Sequence, residues 1–291
     1  KNQHCQAMFI CMKTPHTTQQ SAPLHEPVVL IRMDKIGDLV LSLCADQSPW
    51  LKNHACHWFI AKGLGFVPNN AQPARSYTEF KKRGSVSEFL RMIRELSRIN
   101  PQTAIVLHAP WWVGLALLCA RVKNRVGRLS QWHSFLFFNQ GIRQKRSQAA
   151  CHESDYNFQL IDRAFQKLNS LPPGVRNGKI ITSIKDSISS QAPHPYLVLK
   201  PKMSESVLHK WDLQKQSYIV VHPGMAGSAL NWPVEHYKNL IQDLSAECLV
   251  VVTGTAADRF ILNPLKASLG ELRTVIWLDS KVSSDELLVV L

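Results

Sequence analysis

The chain has 291 residues, 45% of them hydrophobic, with a formal net charge of +13. That length and apolar content suffice for one large or two ordinary domains and exclude a disordered chain except at the ends. The excess of Lys and Arg favours an acidic partner, with nucleic acid, anionic lipid and phosphorylated sugar all eligible, although each basic cluster taken singly reads as a solvated face.

Residues 1–26 read as a polar tail or as sequence upstream of the true start, with Met8 and Met12 as candidate initiators and no apolar core of a signal peptide. A strand is expected over 28–32, where Val28-Val29-Leu30-Ile31-Arg32 is continuously apolar up to its last residue. A short polar turn with one glycine follows, and then a helix from Leu39. Asp38 sits at this junction. Its position reads equally as a helix N-cap and as a carboxylate at the ligand-binding end of a strand, available as a general base.

Further strands are expected over 57–61, 104–107 and 125–127, and helices over 86–99, 111–120 and 155–168, the pattern of a parallel, doubly wound α/β sheet. The run 104–120 is the longest apolar stretch. His108 and Pro110 interrupt it, and it falls short of the ~20 residues of a membrane span. Gly63-Leu64-Gly65-Phe66-Val67-Pro68 imitates a dinucleotide fingerprint, but Pro68 stands where a third glycine would allow close helix packing, which argues against a dehydrogenase. No P-loop and no G-x-S-x-G elbow occurs, which argues against a P-loop phosphotransferase and an α/β-hydrolase.

The Ser-, Lys- and Pro-rich stretch 175–216 reads as a linker between an N-terminal Rossmann-like domain, 27–174, and a C-terminal one, 217–291. In the latter, strands are expected over 218–221, 248–253 and 274–278, and helices over 234–247 and about 265–269. The loop His222-Pro223-Gly224-Met225-Ala226-Gly227-Ser228-Ala229-Leu230-Asn231-Trp232-Pro233 lies between strand and helix. Bare N–H groups and a helix dipole there suit an anion such as a diphosphate. The same residues also read as a plain tight connection. His222 reads as a phosphate contact or a strand cap, and Trp232 as a packing anchor. Thr253-Gly254-Thr255-Ala256-Ala257-Asp258 forms a second small-residue turn, in which Asp258 reads as a ribose acceptor or as a solvated helix cap.

Seven cysteines form no C-x-x-C pair, lie mostly in apolar segments and fit a reducing compartment. Cys5 and Cys11 with His4 and His16 match no zinc spacing, and no metal site is expected.

The pairing of Arg-x-Asp-x-x-Gly-Asp (Arg32 to Asp38) with the loop from His222 to Pro233 resembles the lipopolysaccharide heptosyltransferase family of glycosyltransferases. Lys62 to Val67, Arg125 to Arg128 and His152-Glu153-x-x-Tyr156 extend the resemblance over roughly 28–279. It implies a GT-B fold of two Rossmann-like domains, with the acceptor held by the first and an ADP-activated heptose by the second. It further implies an inverting, metal-independent transfer to a lipid A inner-core acceptor. The enzyme would be monomeric and cytoplasmic, in peripheral contact with an anionic membrane surface, and would need no cofactor beyond the nucleotide-sugar substrate. Asp38 is then the base. His222, Gly224, Gly227, Ser228, Thr253, Gly254 and Asp258 hold the donor, and Arg32, Lys35 and Gly37 face the acceptor, while Arg32 and Lys35 read equally as surface charge. Leu230 departs from members that carry a Lys two residues before the Trp, which removes one cation from the leaving group. The family's later Asp-[Ser/Thr]-Gly-Pro-x-His segment has no counterpart, and Leu287 to Leu291 ends on apolar residues, so a truncated second domain is expected. The competing reading is a non-catalytic basic protein that binds anionic glycolipid or nucleic acid, a relic of such an enzyme.

Overall fold

The computed structural model describes residues 25–144, 146–148, 151–166, 197–201, 204–215, 217–224 and 230–291. The N-terminal half is a six-stranded, fully parallel sheet. Its strands are β1 (His25–Arg32), β2 (His54–Ala61), β4 (Ser76–Phe80), β5 (Thr103–His108), β6 (Asn124–Arg128) and β7 (Gln140–Ile142), in the order β4-β2-β1-β5-β6-β7. The chain builds outward from β1 in one direction and then, from β5, in the other. The order therefore reverses between β1 and β5, and ligands of open α/β sheets bind in the crevice outside the strand ends at such a place.

Alternation along β1 sends Val28 and Leu30 to one face and Val29 and Ile31 to the other, which is why both faces carry a core. Helices α1 (Ile36–Leu43) and α6 (Glu153–Gln166) cover the first face, where Leu39, Leu43, Leu160 and Ile161 pack on Trp58 and Ile60. Helices α3 (Val86–Ile99) and α4 (Trp111–Cys119) cover the second, bringing Met92, Leu96, Val113 and Leu117 against Phe59 and Phe80. Ser85 caps α3 by accepting the Glu88 N–H. The short helices α2 (Phe66–Asn70) and α5 (Trp132–Phe137) fill connections.

The second half is a three-stranded parallel sheet, β9 (Tyr218–Val221), β10 (Leu249–Val252) and β11 (Val275–Trp277), half as wide as the first. Helices α8 (Val234–Glu247) and α9 (Arg259–Leu269) pack on one face through Ile241, Leu262 and Leu265. On the other, α7 (Ser204–Lys210) and α10 (Ser284–Val290) bury Val207 and Val290 with Val251 and Leu278. The expected α/β class of two Rossmann-like units is the architecture observed.

Several details differ from the sequence reading. Helix α1 starts three residues earlier than expected, so Ile36-Gly37-Asp38 forms its first turn and Lys35 takes the N-cap position. Residues 204–210, read as linker, form α7 because Val207 has an apolar sheet face to cover. The same stretch supplies β8 (Val198–Leu199), which pairs antiparallel with β3 (Ala71–Gln72) of the first half. Helix α9 begins six residues before the expected 265 and holds Pro264 in its interior. Helix α6 runs over 153–166 rather than 155–168. Among the described residues, no helix is long and apolar enough to cross a membrane.

Candidate active site

The centre of the N-terminal half is Arg32, the last residue of β1. The strand carries it to the switch point, and the Met33 N–H donates to the His108 carbonyl at 2.9 Å, which locks the ends of β1 and β5 together. Arg32 is only 3% exposed. A guanidinium taken out of water needs anionic partners, and three carboxylates converge on it. Nε and Nη2 both reach Asp34 at 2.7 Å, Nη1 donates to Glu153 at 2.7 Å, and Nη2 lies 3.4 Å from Asp38. Glu153 also accepts from Arg146, whose guanidinium lies over the Tyr156 ring and reaches Gln144.

Local structure explains how these groups meet. Asp34 lies in the turn after β1, Asp38 projects from the first turn of α1, and Glu153 opens α6. Asn157, one turn along α6, donates to the Ser42 hydroxyl at 3.0 Å and holds α6 to α1. Burial lowers the proton affinity of Arg32, but the hydrogen bonds and charges of Asp34 and Glu153 outweigh it and keep the group above its ordinary value. Burial, with the Asp38 charge beside it, holds Asp34 above its ordinary value against the pull of Arg32 and His108.

Asp38 keeps 38% of its side chain open to solvent and touches Arg32 through one oxygen only. Its other oxygen is free to meet a ligand hydroxyl, as a general base must. As the third residue of α1 it is not the N-cap, so the capping reading fails. Arg32 is buried and paired with carboxylates of the protein, a placement that orients Asp34 and Asp38. Lys35 and Gly37 are exposed.

Beside this cluster lies a cavity of about 460 Å³, walled by the ends of β1 and β5 and by α4 and α5. Lys35, Lys82, His108, Arg128 and His133 line it, and Asp34 is its single carboxylate. Asp38 stands one helical turn beyond Lys35, outside the lining. Burial against the wall lowers His108, and Asp34 opposes this while Arg32, Arg128 and Arg146 reinforce it. Such a site suits a polar, negatively charged ligand.

In the second half, the ends of β9 and β10 bring the two predicted donor turns together. His222 is exposed and its Nδ1 is 2.9 Å from the Thr253 hydroxyl, which is buried. Gly224 packs so closely that a Cβ would fall 2.3 Å from Asp258 Cγ, and Gly254 likewise abuts Leu262. Asp258 is buried, and its Oδ2 accepts from the Thr255 N–H at 2.9 Å and the Thr255 hydroxyl at 2.6 Å. It is thus the capping-box partner of Thr255 in the turn 256–258, and buried rather than solvated. Gly227 and Ser228 lie outside the described residues. Trp232 is exposed against His236 and Tyr237 and anchors no core.

Sequence reasoning assigned no role to Asp34, His108, Arg146 or Glu153. Asp34 carried a signal, since it directly follows a strand at the switch point. Glu153 lies 121 residues from Arg32, and only its place in the His152-Glu153-x-x-Tyr156 motif marked it.

Against solved structures, the chain superposes on E. coli ADP-heptose LPS heptosyltransferase II with a TM-score of 0.68 at 16% identity, covering 91% of this chain and 76% of that one. The chain is heptosyltransferase-like in fold. A glycosyl transferase family 9 structure from Veillonella parvula gives 0.67 at 15% identity, over 92% and 73% of the two chains. E. coli heptosyltransferase with ADP-2-deoxy-2-fluoro heptose gives 0.61 at 14%, over 91% and 79%. By sequence, a Haemophilus influenzae protein named "Putative glycosyltransferase" is 24% identical over 266 residues, which is 87% of this chain and 70% of that protein. No family model matches. What the chain resembles, by sequence and by structure, is glycosyltransferases.

Proposed function

We propose that the chain transfers a heptose-type sugar from an ADP-sugar to an inner-core lipopolysaccharide acceptor at the cytoplasmic face of a membrane, with inversion and without a metal. The observation that carries this is the half-open Asp38 carboxylate, held by the buried Arg32 at a sheet switch point beside a basic cavity, in a fold shared with structures of heptosyltransferases. The acceptor hydroxyl oxygen attacks the anomeric carbon from the face opposite the diphosphate. As that C–O bond forms, the bond from the anomeric carbon to the phosphate oxygen breaks, ADP departs with the bonding electron pair, and Asp38 takes the hydroxyl proton. The turns after β9 and β10 stabilise the leaving diphosphate through backbone N–H groups, with His222 at the rim. Basic cavity residues orient the acidic inner core.

The test is incubation of the chain with ADP-heptose and an inner-core acceptor that lacks heptose. The expected result is acceptor heavier by one heptosyl unit with equimolar ADP released, unchanged by a chelator. ADP-heptose left intact beside unmodified acceptor would overturn the reading, and salt-sensitive binding of generic DNA with no nucleotide-sugar preference would favour the non-catalytic one.

A further inference from the structure

We propose that the outer face of α5, with the neighbouring Trp111 and a rim of basic side chains, is a docking surface for an anionic lipid bilayer that sets the cavity mouth against the membrane. Between Glu95 and Glu153 the chain contains no Asp or Glu at all, while the same stretch carries eight Lys and Arg. The stretch folds into β5, α4, β6, α5 and β7, which gathers its cations toward one edge of the N-terminal sheet, while α3 and α6, which cover the two faces, carry carboxylates of their own.

On that edge, large apolar side chains stand in water together. Trp132 is 77% exposed, Leu136 63% and Phe135 51%, all on the six-residue α5, and Trp111 at the start of α4 is 57% exposed. Single exposed apolar residues are ordinary on a soluble protein, but a cluster of four is not. The other side of α5 is already used. Ser134 is buried and Phe137 lines the cavity wall, so the exposed residues form an outward face and are not a core left half covered.

Charge decides among occupants. Arg143 lies over the Phe135 ring with 5.6 Å to its centroid, and Arg121 and Lys123 are exposed on the same carboxylate-free segment. A protein partner ordinarily meets a surface of mixed sign. An apolar wedge with Arg143 over its Phe135 and with Lys35, Lys82 and Arg128 lining the cavity beside it matches the interface of an anionic bilayer, where Trp and Phe sit at headgroup depth and Lys and Arg meet phosphates. The mouth of the cavity opens beside this wedge, since Trp111, Gln131 and His133 line it. That a lipid-anchored acceptor would thereby reach the cavity rests on the glycosyltransferase reading; the surface itself does not.

The test is sedimentation of the full chain with vesicles of phosphatidylcholine alone or with phosphatidylglycerol at about one third, without nucleotide-sugar or acceptor. Two variants accompany the natural chain, Trp132→Ser/Phe135→Ser/Leu136→Ser and Lys123→Glu/Arg143→Glu, and circular dichroism checks that each is folded. The proposal predicts at least about tenfold tighter binding to the anionic vesicles, weakening with salt, and a loss of about tenfold or more in each variant. Natural chain that ignores anionic vesicles, or a triple variant that binds them undiminished, would overturn it. So would sedimentation equilibrium in which the triple variant turns a dimer into a monomer, because a second copy would then be the occupant. With no substrate in the assay, its failure leaves the glycosyltransferase reading intact, and loss of transfer activity leaves the docking result intact.

Discussion

Replacing Arg32 with methionine removes the cation around which the N-terminal site is organised while keeping most of its buried volume. Three short charge-assisted hydrogen bonds disappear, two to Asp34 and one to Glu153, each 2.7 Å long. Such bonds contribute roughly 1.5–3 kcal/mol apiece, and leaving a buried partner unpaired costs about 3–5 kcal/mol. Glu153 retains Arg146, so the orphan is Asp34, and the expected loss is about 3–4 kcal/mol. For a urea dependence of about 2 kcal/mol/M, the midpoint followed by circular dichroism falls by about 1.5–2 M. The loss also depends on pH with a defined sign. Burial already holds Asp34 above its ordinary value, and without Arg32 it rises further, so the variant is relieved by protonation. The deficit is therefore smaller near about pH 5 than near about pH 8. Arg32→Met/Asp34→Leu recovers much of it, because both partners are then removed together. A midpoint shift below about 0.3 M, or the same deficit at both pH values, would refute the reasoning.

Two further expectations concern residues away from Arg32. His57 sits on β2 with its Nε2 2.8 Å from the Thr78 hydroxyl, and burial, reinforced by Arg98 and opposed by Glu95, lowers it from 6.5. The unfolded chain therefore takes up the proton first as pH falls, and stability declines from about pH 6.5 downward; His57→Gln flattens that decline in unfolding curves recorded across the range. Gly224→Ala drives a methyl into Asp258 and displaces the first donor turn. ADP affinity measured by calorimetry then drops by about tenfold or more, with a stability loss of about 1–3 kcal/mol.

Central strands were legible because β1, β5, β9 and β10 are unbroken apolar runs with polar or glycine-bearing ends, the mark of strands covered on both faces. Helix α3 was legible from its apolar stripe. By contrast, β4 is an edge strand whose Ser76 and Glu79 interrupt its apolar pattern, and α5 is too short for helical periodicity to register. Helix α7 was hidden because its polar sequence gains an apolar contact only once Val251 and Leu278 are in place. For the site, Asp38 was visible as a carboxylate after a glycine at a strand end. Its orienting cluster was not, because Arg32, Asp34 and Glu153 meet only through the return of α6 across the sheet. The burial of Arg32 was hidden for the same reason, since an arginine ending a strand looks solvent-facing until its acidic partners are known.

In the proposed transfer Asp38 is the group that takes the acceptor's proton. The direct measurement is the single-turnover rate of heptosyl transfer by Asp38→Asn with ADP-heptose and inner-core acceptor both saturating, alongside ADP affinity. Loss of a general base predicts a fall of about 10²–10⁴-fold in rate with ADP affinity unchanged. A variant that transfers sugar within about threefold of the natural rate would contradict it.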